Sequence, residues 1–391
     1  MTSTFDFDVR LDRTNTDSLK WDARPIVFGT EDVLPLWVAD MDFATPPAVQ
    51  EALLARVSHP IYGYTLTSDR AMEALVGWFE RRHAWSIDPA RVLWFPGTVP
   101  SIVASILAFT EPGDGIIVPT PAYPPFFSAV ERNGRKLCVN PLKRHNARYV
   151  FDFESMEQLA KEGAKMLLLC SPHNPVGRVW TREELDRIVD IAMRYELTVI
   201  SDEVHADFVY PGHKHTMFAK VAPPELRVIT TLSPAKTFNI PGFSLTAVVV
   251  SHPEDQRALQ QVLDALHLSA SHPLSMAAFT AAYAHGDAWL DALCTYLDGN
   301  RRWVHERIQE LSLLKMDLPE ATYLAWLDCS QMEVSPGKLR KFFIKEARLG
   351  LNPGLNFGKD GAHHMRLNFA TQRVVLQEAM ERLQKAHATL L

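Results

Sequence analysis

Cysteine is scarce in this 391-residue chain. The four present, Cys138, Cys170, Cys294 and Cys329, are far apart and form no C-x-x-C pair. That pattern fits buried thiols in a reducing compartment better than a disulfide-stapled scaffold or a cysteine zinc site. Long apolar runs are also lacking. The longest, such as Ile102–Phe109, fall well short of the ~20 residues that span a bilayer. No long basic run occurs, and the net charge is −6 with a pI near 6.2, so nucleic acid is not an expected partner. Arg301-Arg302 and Lys338–Lys345 are short basic clusters that read as solvated helix faces. The N-terminal stretch MTSTFDFDVR is acidic and has no apolar signal core. A cytoplasmic protein without a membrane partner is the expectation.

Several catalytic signatures are missing too. There is no H-E-x-x-H, G-x-S-x-G or G-x-G-x-x-G. Gly354–Lys359 is one residue too short for a phosphate-binding P-loop, and Asp360 follows its lysine. His363-His364 has no partners at metal spacing and reads as a loop pair, so no metal site is expected.

What is present is an ordinary apolar fraction of 47%, enough for a large core, and a length that suggests two or three domains. Residues 1–46 read as irregular, with an apolar patch at Leu34–Ala39. Pro47 opens a helix, where its missing N–H costs nothing. Tyr62-Gly63-Tyr64 reads as a turn. From about residue 90 apolar strands alternate with helices: Val92–Phe95, Gly115–Val118, Met166–Cys170, Thr198–Ile200, Val228–Leu232 and Ala247–Val250. Thr181 and Glu184 have capping-box spacing ahead of a helix with apolar Leu185, Ile188, Val189 and Ala192. Strands apolar on both faces and separated by helices predict an α/β fold with a mostly parallel sheet. After about residue 285 a long helix, Trp289–Glu310, leads to strands near Tyr323–Leu327 and Met365–Phe369 and to a terminal helix from Val374. The expected division is a large domain over 47–285 and a smaller unit formed by 1–46 with 286–391.

The polar residues lie where such a sheet would bind a ligand. Thr98, Asn174, Asp202, and Ser233 with Lys236 all follow predicted strand ends, and open α/β sheets bind ligands outside the carboxyl ends of their strands. Lys236, just past a buried strand in TLSPAKTFNIPG, suits a Schiff-base lysine beside a serine that contacts a phosphate. Read alone, the stretch equally fits an exposed loop lysine.

The motifs N-P-x-G at Asn174–Gly177, Asp202-Glu203, S-x-x-K-T-F-N at Ser233–Asn239 and M-R-L-N-F-A at Met365–Ala370 resemble the fold-type-I pyridoxal-phosphate enzymes. Lys20-Trp21-Asp22, LPLWVADMDF at Leu34–Phe43, YGYT at Tyr62–Thr65, SPHNPVGRVW at Ser171–Trp180 and SDEVHADFVY at Ser201–Tyr210 are similar to the MalY/PatB branch of cystathionine β-lyases. The resemblance runs from about residue 13 to the C-terminus. It implies a seven-stranded, mostly parallel sheet in the large domain, a smaller α/β domain, and pyridoxal 5'-phosphate as cofactor.

Residue by residue, it implies that Lys236 bonds to the cofactor aldehyde and later takes the substrate Cα proton, and that Asp202 pairs with the pyridinium nitrogen. It places Asn174 and His205 on the ring oxygen and Tyr123 against the ring. Gly97, Thr98, Val99 and Ser233 would hold the phosphate. Arg366 would grip the substrate carboxylate, with Ala39 close to it and Trp37 lining the same side. Tyr64 would reach into a neighbouring subunit's site, which implies a homodimer with shared sites. Each residue type also has a plainer use: a capping aspartate, a packed histidine or tryptophan, a surface salt bridge. Two positions depart from related transaminases: Ser244 stands where an arginine often pairs with the phosphate, and Ala235 where a second serine is frequent. The implied reaction is β-elimination from an L-amino acid with sulfur on Cβ, such as cystathionine. An aminotransferase, or a regulatory protein that binds partners, are the alternatives that the local motifs leave open.

Overall fold

The computed structural model describes residues 5–146, 148–270 and 272–391. The first four residues of the acidic N-terminal stretch lie outside the described residues. A seven-stranded sheet runs in the order Val92–Phe95, Thr246–Val250, Val228–Leu232, Thr198–Asp202, Ala164–Cys170, Gly115–Thr120, Lys136–Pro141. Only Thr246–Val250 is antiparallel to its neighbours; the other pairings are parallel. Four of the five inner strands are buried along their whole length, and in the fifth, Ala164–Cys170, only Lys165 is exposed, as expected of a sheet with both faces covered. The α/β expectation with a mostly parallel seven-stranded sheet therefore holds.

A second, four-stranded sheet is built from Lys315–Met316, Leu324–Asp328, His364–Asn368 and Asn352–Pro353. It packs with the helices Asp287–Gln309 and Arg373–Ala388. The N-terminal segment is more ordered than its sequence suggests. Residues 19–22 and 24–28 form short helices, and Leu34–Pro35 pairs in parallel with Leu349–Gly350. Lys20 explains this order. Its side chain is fully buried, with Nζ 2.8 Å from Asp42 Oδ2, while Trp21 Nε1 donates to Asp42 Oδ1 at 3.1 Å. Asp22 accepts from the backbone N–H groups of Asn15, Thr16 and Ser18. These are local polar interactions with no hydrophobic period, so periodicity does not reveal them.

The Thr181–Glu184 capping box is formed, with both reciprocal bonds in place. Other readings need correction. Arg301 is not on a solvated face: it is 1% exposed, donates to Asp298 and to the Pro319 carbonyl, and lies 4.1 Å from the centroid of Tyr210. A planar guanidinium presents several donors in a fixed fork, so it can be buried where enough acceptors surround it. His364 is no loop residue; it opens the strand His364–Asn368 and stacks on Trp326 at 5.0 Å. Cys294 is half-buried, unlike the other three free thiols. No backbone hydrogen bond closes a turn at Tyr62–Tyr64, which lies in an exposed irregular stretch. Among the described residues no helix is long and apolar enough to cross a membrane.

Candidate active site

The parallel strands end on one edge of the sheet, and the polar residues gather there. Asp202 is the last residue of its strand and pairs in register with both Cys170 and Thr231. It is 5% exposed, and its Oδ1 accepts from Thr231 Oγ1 at 3.2 Å and Val204 N at 3.4 Å. Burial pushes its carboxyl up to about 6, against the opposing pull of these donors and of Lys236. A buried carboxylate with two long hydrogen bonds has capacity for a cationic partner.

Lys236 stands on a single helical turn, Pro234–Thr237, capped by the Ser233 hydroxyl on Ala235 N at 3.2 Å. Its Nζ donates to the Ala39 carbonyl at 2.8 Å. The same carbonyl accepts from Tyr323 Oη at 2.9 Å. Burial, then the positive charge of Arg366, lowers the ammonium to about 8. The Ser233 hydroxyl also donates to the Leu245 carbonyl at 2.8 Å, so its proton is already committed and it meets a ligand as an acceptor or by rotating away.

Arg366, on the strand His364–Asn368, is 5% exposed. Nη1 donates to Asn174 Oδ1 at 3.1 Å; Nη2 donates to Trp37 O at 2.9 Å and Asn352 Oδ1 at 2.8 Å. Burial lowers the guanidinium to about 10, and its Nε is buried without an acceptor. With Asn174 Oδ1 taken by Arg366, the amide Nδ2 is the end left to donate. Gly177 completes the turn that presents Asn174. A Cβ there would come 2.8 Å from Pro319, and its carbonyl accepts from Glu320 N and Ala321 N.

His205 is buried, with Nδ1 lacking any partner and its ring 5.9 Å from that of Tyr323. Burial, reinforced by Lys236 and Arg366, lowers it to about 3, so the imidazole is neutral. Tyr123 caps the helix Pro124–Glu131, and burial followed by the nearby Asp202 charge raises its phenol. Gly97 adopts φ 125° ahead of the helix Thr98–Phe109, which has no side-chain N-cap. Thr98 and Val99 are its first two residues, and Pro100 has no N–H to offer. Free amides at the start of a helix are able to bind an anion. Thr98 Oγ1 is 3.1 Å from Thr246 Oγ1.

The sequence motif at Leu34–Phe43 points to a substrate-side segment at Trp37 and Ala39, but not to the contacts that hold this strap in place. Residues 37–43 are held by side chains from four distant elements. Asn239 exchanges bonds with Met41 N and O and with Phe43 O. Asn368 Nδ2 donates to Val38 O and Asp40 O, and Gln372 Nε2 to Asp42 O. Arg13 pairs with Asp40 at 2.7 Å and Asp42 at 2.8 Å. Asn239 lies inside the quoted S-x-x-K-T-F-N motif, yet only the fold brings it to the strap. Tyr323 and Asn352 carried no sequence signal. Tyr64 is apart from all of this: it is fully exposed and meets no site residue within its own chain.

Residues 31–383 match the family described as aminotransferase class I and II. The chain belongs to this family. Within it, cystathionine beta-lyase PatB of Bacillus subtilis (strain 168) is 38% identical over 383 residues, which cover 97% of this chain and 99% of that protein. Protein MalY of Escherichia coli (strain K12) is 34% identical, over 96% of this chain and 97% of that one. The crystal structure of cystalysin from Treponema denticola, which contains a pyridoxal 5'-phosphate cofactor, matches with a TM-score of 0.94 at 34% identity, over 99% of this chain and 100% of that one. The family uses pyridoxal phosphate. The residues here fit that group: an amine, a buried carboxylate and an orphaned imidazole nitrogen are close enough to act on one another's charge, and a helix start without a side-chain cap follows another strand end.

Proposed function

We propose that this chain is a pyridoxal-phosphate-dependent carbon–sulfur β-lyase of the cytoplasm. L-Cystathionine or a related cysteine S-conjugate, with water, would give a thiol, pyruvate and ammonia. The observation that carries this reading is the pairing across the strap: Lys236 on the Ala39 carbonyl, and Arg366 on the Trp37 carbonyl, with Asp202 deep between strand ends. The full-length likeness to PatB supports elimination over transfer.

Lys236 would hold the cofactor aldehyde, Asp202 the ring nitrogen, and Asn174 and His205 the ring oxygen. Tyr123 would cover the ring, and Gly97, Thr98, Val99 and Ser233 would hold the phosphate. When bound, the cofactor supplies an electron sink that makes a substrate Cα–H acidic and allows the Cβ–S bond to break. Arg366 binds the substrate carboxylate by a two-pronged pair, strengthened by its burial. That contact turns the Cα–H toward Lys236. An amine with a pKa near 8 is close to neutral pH in proton affinity, which suits it to take that proton and return one. The Ala39 carbonyl gives the amine a second resting partner whenever it is free.

The test is incubation with L-cystathionine and no keto-acid. Pyruvate and free thiol are expected in equal amounts. Strict dependence on an added keto-acid would instead establish an aminotransferase.

Two chains are inferred to share their sites. Tyr64 stands free among exposed Leu54, Ile61 and Leu66, which are 71%, 67% and 87% exposed. An apolar patch of this kind usually meets a partner. Mixing Lys236→Ala with Tyr64→Ala protein under subunit exchange is expected to restore activity toward about a quarter of the parent, since half the dimers then hold one intact site. No restoration, with both single variants impaired, would rule out a Tyr64 contribution in trans.

A further inference from the structure

A second concavity carries the opposite sign to the chain. The chain has a net charge of −6. A cleft of about 620 Å³ lies where residues 206–220 meet the end of the helix Asp69–His83 and the start of the helix Arg182–Arg194. Arg82, Arg182, His213, Lys214, His215 and Lys220 line it, together with Arg81 and His83. Its one lining carboxylate is Asp207.

That carboxylate is fully engaged. Asp207 accepts from His83 Nε2 at 2.8 Å, Trp78 Nε1 at 3.2 Å and Thr237 Oγ1 at 2.6 Å. Glu203, behind His215, is likewise taken up by His215 Nε2 at 2.7 Å, Ser201 Oγ at 2.8 Å and Phe218 N at 3.0 Å. The counter-ions of Arg81, Arg82 and Arg182 are Asp287, Asp291 and Asp186, none of which lines the cleft. Exposed pairs of this sort are weak, and a multiply charged ligand can compete with them. His213 lies 3.9 Å from Glu320, which already pairs with Arg148 and Arg178. Among the described residues neither Lys214 nor Lys220 has an ion-pair partner, and Lys220 Nζ donates to the His83 carbonyl at 3.0 Å. A concave surface lined by one sign of charge focuses the field and concentrates ions of the other sign.

We propose that this cleft binds a small, multiply charged anion of the phosphate class, separately from the cofactor phosphate. Its volume admits ligands up to the size of a nucleotide. Its floor adjoins the catalytic residues through the chain itself: Thr237 follows Lys236, and Glu203 follows Asp202.

The experiment is calorimetric titration of the cofactor-loaded protein, in which the cofactor's own phosphate position is already filled. Inorganic pyrophosphate and a nucleoside diphosphate are titrated in parallel at low and at raised ionic strength. Saturable binding of one anion per chain, weakened by salt, is expected. The double variant Lys214→Glu/Lys220→Glu should bind about tenfold more weakly or worse, because each change removes an attraction and adds a repulsion. Its melting temperature checks that it is folded, and the single variant Lys214→Ala should fall between the two. Equal affinity for the two anions means the diphosphate alone is read; tighter nucleotide binding means that the cleft also reads the nucleoside. Absence of binding to the loaded parent, or undiminished binding by the folded double variant, overturns the proposal. Neither outcome depends on whether cystathionine is cleaved.

Discussion

Replacing Lys236 by alanine is expected to lower thiol release from L-cystathionine by at least about 10³-fold. A positioned general base alone contributes roughly 10²–10⁴, and this amine also anchors the cofactor. The loss should fall on kcat, because the groups assigned to the substrate carboxylate and to the cofactor phosphate are untouched. A small primary amine added to the solution should restore part of the rate in the variant, since the vacated volume lies beside the Ala39 carbonyl that now accepts from Nζ. Borohydride treatment supplies a second readout: it should fix the cofactor to residue 236 in the parent and to no residue in the variant. A variant that keeps its rate within about tenfold of the parent, or a parent in which borohydride modifies another lysine, would refute the assignment.

Asp202→Asn should produce two effects of opposite sign. In the loaded protein the carboxylate opposite the ring nitrogen is lost. An ion pair of that kind shifts a pKa by roughly 1–3 units, about 1.4–4 kcal/mol, so activity should fall by about 10–10³-fold. In the cofactor-stripped protein the same change should stabilise the fold. The Asp202 carboxyl is raised from 3.8 to about 6 by burial. At pH below 3.8 it is protonated in both the folded and the unfolded chain and has no linkage effect. Between 3.8 and about 6 the unfolded chain loses the proton while the folded chain retains it, so stability falls as pH rises. Above that window the penalty is constant, at roughly 3 kcal/mol. Asparagine is never ionised and can still accept from Val204 N and Thr231 Oγ1. Stripped Asp202→Asn protein should therefore melt higher than stripped parent at pH 7, and the difference should vanish as the pH falls below 3.8. A lower melting point at pH 7 would show that the carboxylate is a structural ion partner instead.

Most strands along residues 92–250 are legible because each is a short apolar run closed by polar or proline-containing turns. The helix Asp69–His83 and the strand Lys136–Pro141 were not singled out. The first is rich in charge, and the second alternates exposed and buried positions at the sheet edge. A pair of arginines in a helix has the same local pattern whether it faces water or, as Arg301 does, a tyrosine ring.

For the site, short-range chemistry was readable and long-range chemistry was not. Sequence by itself determined which strand ends carry an amine, a carboxylate, an amide and a hydroxyl, since these lie within a few residues of apolar runs whose burial is dictated by hydrophobicity. Tertiary structure alone decided that Lys236 rests on Ala39, that Arg366 is shared among Asn174, Trp37 and Asn352, and that Tyr323 joins them. It also decided that Arg81, Arg82, Arg182, Lys214 and Lys220 share one cleft. The reason is separation along the chain. Hydrogen bonds and fields act over a few ångströms in space, and partners as far apart in the chain as Lys236 and Ala39 or Arg366 and Trp37 leave no period or spacing until the sheet and its helices have folded them together.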